Sequence, residues 1–278
     1  MQMHPGPETE RSPQKEGKSM LYDRREQILA MLKQDGSVKV QTLTSHFGVS
    51  IETIRRDLEA LENEGLLRRV YGGAVLLSRR SVEPLFRDRQ VRNALEKEQI
   101  GRLAASFVED GDVVGIDIGT TTMEMAKALR DLDLRLIVIT NSIPIAAVLS
   151  ENEKIEVILT GGRVRRGELS VGGHTLTESN MRLFQTDKLF LGVGGITEKF
   201  GITDYREEET AFRRIGVERT KEVYALADHS KFGVTAMNQI CEAGKIDVLI
   251  TDAGTARDQL SALRTKGVRV VVADGSPV

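Results

Sequence analysis

The apolar positions of the chain follow two periods, and the point where one gives way to the other divides it. Residues 22–34 (YDRREQILAMLKQ) place Ile28, Leu29 and Leu32 on one helical face, with Asp23 in position to cap it. DGSV at 35–38 interrupts the pattern. Residues 39–46 read as a short second helix with Val40 and Leu43 inward, and FGVS makes the turn after it. Ser50 then caps a third helix that runs through Asn63 and stops at the glycine of EGLL. Ile54, Leu58 and Leu61 stand at i, i+4 and i+7 and define its buried stripe. Glu52, Arg56, Glu59 and Asn63 lie opposite, with Thr53 and Arg55 on the flanks. LLRRV (66–70) and AVLL (74–77), either side of YGG, read as a two-stranded hairpin. Three short helices and a hairpin are the plan of a winged helix-turn-helix, a mainly α domain over residues 20–77.

Over residues 79–93 (RRSVEPLFRDRQVRN) the periodicity fades and charge rises, so 78–93 is expected to be a linker. A helix follows at 94–109, with Ile100, Leu103, Ala104 and Phe107 inward. Beyond it come strand-like runs at 113–118, 135–140, 155–160, 187–193, 222–227, 247–251 and 268–273. Helical segments stand between most of them, at 121–130, 143–151, 174–183, 205–219 and 255–266. Short apolar strands alternating with helices imply an α/β domain with a largely parallel sheet over residues 94–278.

Composition narrows the class. The 278 residues carry a formal charge of only −2, so a nucleic-acid role must rest on a local patch. One cysteine, Cys241, precludes an intrachain disulfide, suits a reducing cytoplasm and reads as a buried structural thiol. No apolar run reaches the roughly 18 residues that a membrane span requires. The first 19 residues are polar, rich in Pro, Gly and charge, and read as a disordered tail. Met20 stands as an alternative start.

That local patch exists. Thr53, Arg55 and Arg56 sit near the start of the third helix, where a recognition helix meets base edges and phosphates. Arg68, Arg69, Arg79 and Arg80 crowd the segment 66–80, which holds no acidic residue, as a wing on the DNA backbone would. A solvated helix face is the competing reading, with Arg55 paired to Glu59 at i+4, which makes Arg56 the favoured base contact.

The run VSIETIRRDLEALENEGLLRRVYGGA closely resembles the N-terminal signature of the DeoR family of bacterial transcriptional regulators. That signature joins a serine cap, a T-I-R-R-D-L helix core, a glycine stop and an arginine wing ending in G-G-A.

In the second half, DIGTTT (117–122) follows a strand and opens a helix. Gly119 permits the turn, and the first N–H groups of the helix with the hydroxyls of Thr120, Thr121 and Thr122 suit a phosphate. Other strand ends are also polar or glycine-rich. They carry Thr140, Asn141 and Ser142; Thr160, Gly161, Gly162 and Arg163; Gly192, Gly194 and Gly195; and Asp228, Ser230 and Lys231. In open α/β sheets ligands bind at the carboxyl ends of strands.

DIGTTT, TNS, LTGG, FLGVGGI, GITDYREEE and LADHSKFG together, in that order, resemble the C-terminal effector domain of the same family, which shares its fold with ribose-5-phosphate isomerase. The resemblance implies that Thr120, Thr121, Thr122 and Lys231 hold a phosphate, and that Asp117, Asn141, Gly192, Gly194 and Asp228 line the sugar end. It also implies operator DNA as a partner, a repressor's role, and assembly into a homodimer or tetramer. Glu208 and Glu209 match the family's glutamate pair, in a capping, interdomain or ligand role. Thr210 and Arg213 depart from the common pattern of alanine followed by a lysine, as does the middle threonine of DIGTTT at a variable position.

An isomerase reading is the alternative. The related enzymes carry a carboxylate pair in the loop after the central strand, whereas Gly192–Gly195 holds no ionisable side chain, which favours ligand sensing over turnover. No catalytic residue, metal or cofactor is therefore expected. His229 beside Asp228 suggests a dyad, but adjacent side chains rarely point together.

Overall fold

The computed structural model describes residues 24–32, 37–63, 66–70, 72–76, 83, 86–173 and 176–274. These fall into two compact units that meet in sequence between Val82 and Glu83.

The first unit opens with helix α1 (24–32), followed by β1 (Ser37–Lys39), α2 (Val40–Phe47), α3 (Ile51–Asn63), β2 (Leu67–Val70) and β3 (Gly73–Leu76). Ile28, Leu32, Leu43, Ile54, Leu58 and Leu61 meet in one buried cluster, so the stripe read from the spacing is the stripe that packs. The Ser50 hydroxyl accepts the amide of Thr53 at 3.2 Å and caps α3. Asp23, the glycine stop of α3, Arg79 and Arg80 lie outside the described residues. The period gave no sign of β1, which pairs antiparallel with β3 and completes a three-stranded sheet in the order β1-β3-β2. That strand explains the double glycine of the wing. Gly72 turns the chain at φ 77, a left-handed conformation that glycine adopts without strain. A Cβ on Gly73 would lie 2.1 Å from the Val38 carbonyl oxygen, so β1 can approach only a glycine there.

The second unit begins with α4 (Phe86–Val91), α5 (Ala94–Ala105), β4 (Val113–Ile116), α6 (Thr120–Arg130), β5 (Leu136–Thr140), α7 (Ile143–Leu149) and β6 (Ile155–Leu159). A hairpin of β7 (Arg163–Arg165) and β8 (Ser170–Gly172) leads to α8 (Leu176–Met181) and β9 (Thr186–Gly192). Next come β10 (Gly195–Thr197), β11 (Gly201–Asp204), α9 (Glu207–Glu218), β12 (Thr220–Leu226) and β13 (Asn238–Cys241). The chain closes with β14 (Val248–Asp252), α10 (Arg257–Arg264) and β15 (Arg269–Ala273). Seven strands form one sheet in the order β15-β14-β12-β9-β4-β5-β6, and every pairing in it is parallel. Alternating side chains feed two cores. Val114, Ile116 and Phe190 join α5 and α6 on one face, while Leu189 and Leu191 join α9 and α10 on the other. The small sheet β10-β11-β13 and the hairpin β7-β8 are too short to carry a readable period.

Residues 83–93 do not behave as the expected linker. Glu83, α4 and Asn93 belong to the second unit, where Glu83 binds Arg89 at 2.8 Å and Asn93 donates to Asp228 at 2.7 Å. Arg87, Asp88 and Arg92 face water, so the rise in charge reads as a linker, whereas the buried Glu83 side chain and the half-buried Arg89 tie the segment down.

Candidate functional site

In the first unit, α3 presents Arg55 and Arg56 to solvent, while Thr53 is half-buried with its hydroxyl 2.9 Å from that of Ser50. The observed ion pair is Arg56 with Glu52, at 3.7 Å and highly exposed, not Arg55 with Glu59. Arg55 instead lines an open groove with Lys39 and Gln41 from one side and Arg69 and Gly72 of the wing from the other. Arg69 donates its backbone amide to Glu62 at 2.7 Å and its Nε at 2.5 Å, ties that hold the Glu62 carboxyl below its ordinary range. Arg69 thus fastens the wing to α3. Arg68 stands on β2 opposite Val75, and its side chain is not among those described. Asp57 of the TIRRDL core turns inward at 1% exposure and accepts Arg24 at 2.6 Å and Arg25 at 3.1 Å, which locks α1 to α3.

In the second unit the parallel sheet brings most of the expected residues into one row. Strands β12, β9, β4 and β5 are neighbours, so their carboxyl ends set Asp228–Lys231, Gly192–Gly195, Asp117–Thr122 and Asn141–Ser142 side by side. Gly119 and Gly192 touch across the row, since a Cβ on Gly119 would lie 3.6 Å from the Gly192 Cα. Gly119 precedes the first turn of α6, whose N–H groups have no partner within the helix. Thr120 is half-buried, Thr121 is buried, and Thr122 turns back to donate to the Gly119 carbonyl at 3.1 Å.

The two ends of the row differ in charge. At the β12 end, Asp228 accepts Asn93 Nδ2 at 2.7 Å and the Ser230 hydroxyl at 2.5 Å. Burial lifts Asp228, but Ser230, Lys231 and Asn93 outweigh it and hold the carboxyl below its ordinary range. Burial lowers Lys231 against the pull of Asp228, and pushes the buried Lys97 down to about 8. Lys97 donates to the carbonyls of Arg89 and of Arg92, the latter at 2.7 Å. This end is basic, with Lys97, Lys231 and Arg92 acting on one another.

At the β4 end, Asp117 is wholly buried. Arg213 Nε donates to it at 2.6 Å and Asn141 Nδ2 at 3.2 Å, while Asn141 Oδ1 accepts the Ile118 amide at 2.8 Å. Burial pushes Asp117 up to about 7 even against Arg213, whose guanidinium is shared with Asp204 and Glu209 and stays charged among the three. The departure at Arg213 is therefore structural. Its fork fills the interior behind the row.

Several expected contacts serve the scaffold. Ser142 caps α7 by accepting the Ile145 amide at 3.3 Å. Gly194 and Gly195 admit close backbone: a Cβ on Gly195 would lie 2.3 Å from the Val234 carbonyl oxygen. Gly161 and Gly162 continue the row beyond β5, because β6 pairs parallel with β5 and sets Leu159 opposite Thr140; at the foot of the β7-β8 hairpin the Gly161 carbonyl accepts Thr177 at 2.9 Å. Gly162 borders a cavity of about 800 Å³ lined also by Arg163, Arg165, Ser170 and Glu208.

Residues 24–80 match the DeoR-like helix-turn-helix domain, and residues 92–253 match the DeoR C terminal sensor domain. The chain belongs to the DeoR family. It is 36% identical over 252 residues to a putative aga operon transcriptional repressor of Escherichia coli O157:H7, covering 90% of this chain and 93% of that one. It is 38% identical to the HTH-type transcriptional repressor GlcR of Bacillus subtilis, over 89% of this chain and 94% of the relative. The glycerol-3-phosphate regulon repressor of Escherichia coli K12 is 35% identical over 81% of this chain and 88% of its own. Among solved structures, ribose 5-phosphate isomerase A of Methanocaldococcus jannaschii aligns with 50% of this chain and 55% of its own, at 18% identity and a TM-score of 0.39. Among the described residues of this DeoR-family protein, no helix is long and apolar enough to cross a membrane.

Within this DeoR-family fold, His229 does pair with a carboxylate, but across strands. Its Nδ1 lies 2.7 Å from Asp252 at the end of β14, not on the adjacent Asp228. Cys241 is buried on β13, and burial pushes its thiol up to about 11, as for a structural thiol. Sequence reasoning missed Lys39, Lys97 and Asn93. Lys97 carried a signal, because it falls on the inward side of α5, three residues before the buried Ile100.

Proposed function

We propose that this protein represses a carbohydrate-utilisation operon and that a phosphorylated sugar or polyol, bound along the strand-end row, modulates its hold on operator DNA. The observation that carries the reading is the polarity of the row. The free N–H groups of α6 and the hydroxyls of Thr120 and Thr121 share the row with the basic end around Lys97 and Lys231, a setting for a phosphate. Asp117 and Asn141, held behind the row, shape the sugar end. On the DNA side, Thr53, Arg55 and Arg56 address the groove, while Lys39 and the wing arginine Arg68 meet the backbone. Arg69 holds the wing in place. A homodimer or tetramer would present two such surfaces to two half-sites.

The relatives' names support a regulator, and the Gly192–Gly195 loop offers no base for an isomerase. Asp117, whose carboxyl burial raises to about 7, is buried with both oxygens engaged. Thermal-shift screening against phosphorylated and unphosphorylated sugars and polyols tests the proposal, because a ligand of the native state must stabilise it. A phosphorylated compound should raise the melting temperature, and Lys231→Ala should abolish the rise. Conversion of that compound by the wild-type protein, lost in Lys231→Ala, would establish the enzyme reading instead.

A further inference from the structure

The segment that enters the second unit is fastened to both ends of the row. At the basic end the ties are close to the backbone. Asn93, in a left-handed conformation at φ 52, donates to Asp228 at 2.7 Å. Lys97 holds the carbonyls of Arg89 and Arg92 at the end of α4.

At the acidic end the tie is a chain of charges. Arg213 bonds Asp117 at 2.6 Å and reaches Glu209 at 3.9 Å. Glu209 accepts Ser170 at 2.7 Å and Arg165 at 2.8 Å. Arg165 donates on to Glu83 at 2.8 Å, and Glu83 also binds Arg89 of α4 at 2.8 Å and Arg206 at 3.3 Å. Asp117, Arg213, Glu209 and Glu83 all have side chains exposed by 5% or less.

Two facts make this chain more than a decoration of the interior. Each arginine fork serves more than one carboxylate, so re-aiming it at one partner withdraws it from another. A buried charge that loses its partner is costly to leave in place, so a change at Asp117 must be answered further along. The far end is Glu83, the first residue of the second unit after the connection to the DNA-binding unit.

We propose that α4, with its flanking residues Glu83 and Asn93, is the element that reads occupancy of the strand-end row, through the Asp117–Arg213–Glu209–Arg165–Glu83 chain at one end and the Asn93–Asp228 bond at the other. The inference rests on the site proposed above. A ligand that draws on Asp228 or shifts Asp117 loosens one fastening, and α4 responds at the point where the chain leaves for the DNA-binding unit.

The test needs no ligand. Amide hydrogen exchange is followed at residues 86–91 in the full-length wild type, Asp117→Asn, Glu83→Gln and the double variant, at pH 8 where Asp117 is ionised. Each single variant should speed exchange in α4 by roughly tenfold or more, with the amides of β4 and β9 unchanged. The double variant should exchange no faster than the faster single variant, because both cut one chain. Unchanged exchange in a folded Asp117→Asn protein, or effects that multiply in the double variant, would overturn the proposal. Should Asp117→Asn fail to fold, Glu209→Gln in the middle of the chain takes its place, with the same outcomes. Failure to bind any sugar phosphate would defeat the site proposal and leave this result intact.

Discussion

Asp57→Ala should uncouple the recognition helix from the rest of the DNA-binding unit. The carboxylate is 1% exposed and accepts one charge-assisted bond from each of Arg24 and Arg25, whose side chains are 14% and 32% exposed. A hydrogen bond to a charged group is worth about 1.5–3 kcal/mol. The more exposed Arg25 counts at the low end because water screens it. The two together give a loss of about 2–4 kcal/mol. A unit this small has only a few kcal/mol to lose, and each kcal/mol moves its melting point by roughly 4–8 °C. Differential scanning calorimetry of the full-length variant should show the first unit melting roughly 8–32 °C lower, with the second unit's transition unmoved. Operator affinity should fall with it, since α3 is aimed by α1. The exposed Glu59→Ala serves as the surface control, expected within about 0.5 kcal/mol of wild type. A loss for Asp57→Ala no larger than that of the control would refute the clamp.

Gly73→Ala should detach β1 from the wing, because its Cβ would fall 2.1 Å from the Val38 carbonyl oxygen; urea unfolding should show a loss of at least about 2 kcal/mol in the first unit. Arg55→Ala should weaken operator binding by about 1–3 kcal/mol and relax preference at one base pair, measured by titration against operator variants. An equal loss on every sequence would make Arg55 a phosphate contact. Asp117 gives a pH dependence with a definite sign. Its folded carboxyl is raised to about 7 while the unfolded one sits near about 3.9, so its stabilising contribution is full below about pH 4 and is lost as pH rises through 7. Urea unfolding of wild type from pH 5 to 8 should carry this downward slope, up to about 1.4 kcal/mol per pH unit, and Asp117→Asn should lack it.

What was legible in the sequence was whatever repeats. The stripe Ile54, Leu58, Leu61 and the strands from Val113 to Ala273 follow from period alone, and the parallel sheet then lines up the five polar strand ends, on β12, β9, β4, β5 and β6. Short pairings were invisible, because a three-residue strand such as Ser37–Lys39 has no period and exists only through its partner β3. Buried charge was illegible for a similar reason. Asp57, Glu83, Lys97 and Arg213 look like surface residues until the fold brings their partners from elsewhere in the chain. Glycines were ambiguous in the same way, and only the approach of Val234 shows that Gly195 makes room for backbone.

The central claim meets its most direct test in an electrophoretic mobility shift with an operator fragment, titrated with the phosphorylated compound that raises the melting temperature and with its unphosphorylated parent. The phosphorylated compound alone should release the wild-type protein from DNA, and Lys231→Ala should bind the operator with wild-type affinity but not be released. Equal release by the parent compound, or normal release of Lys231→Ala, would contradict the claim.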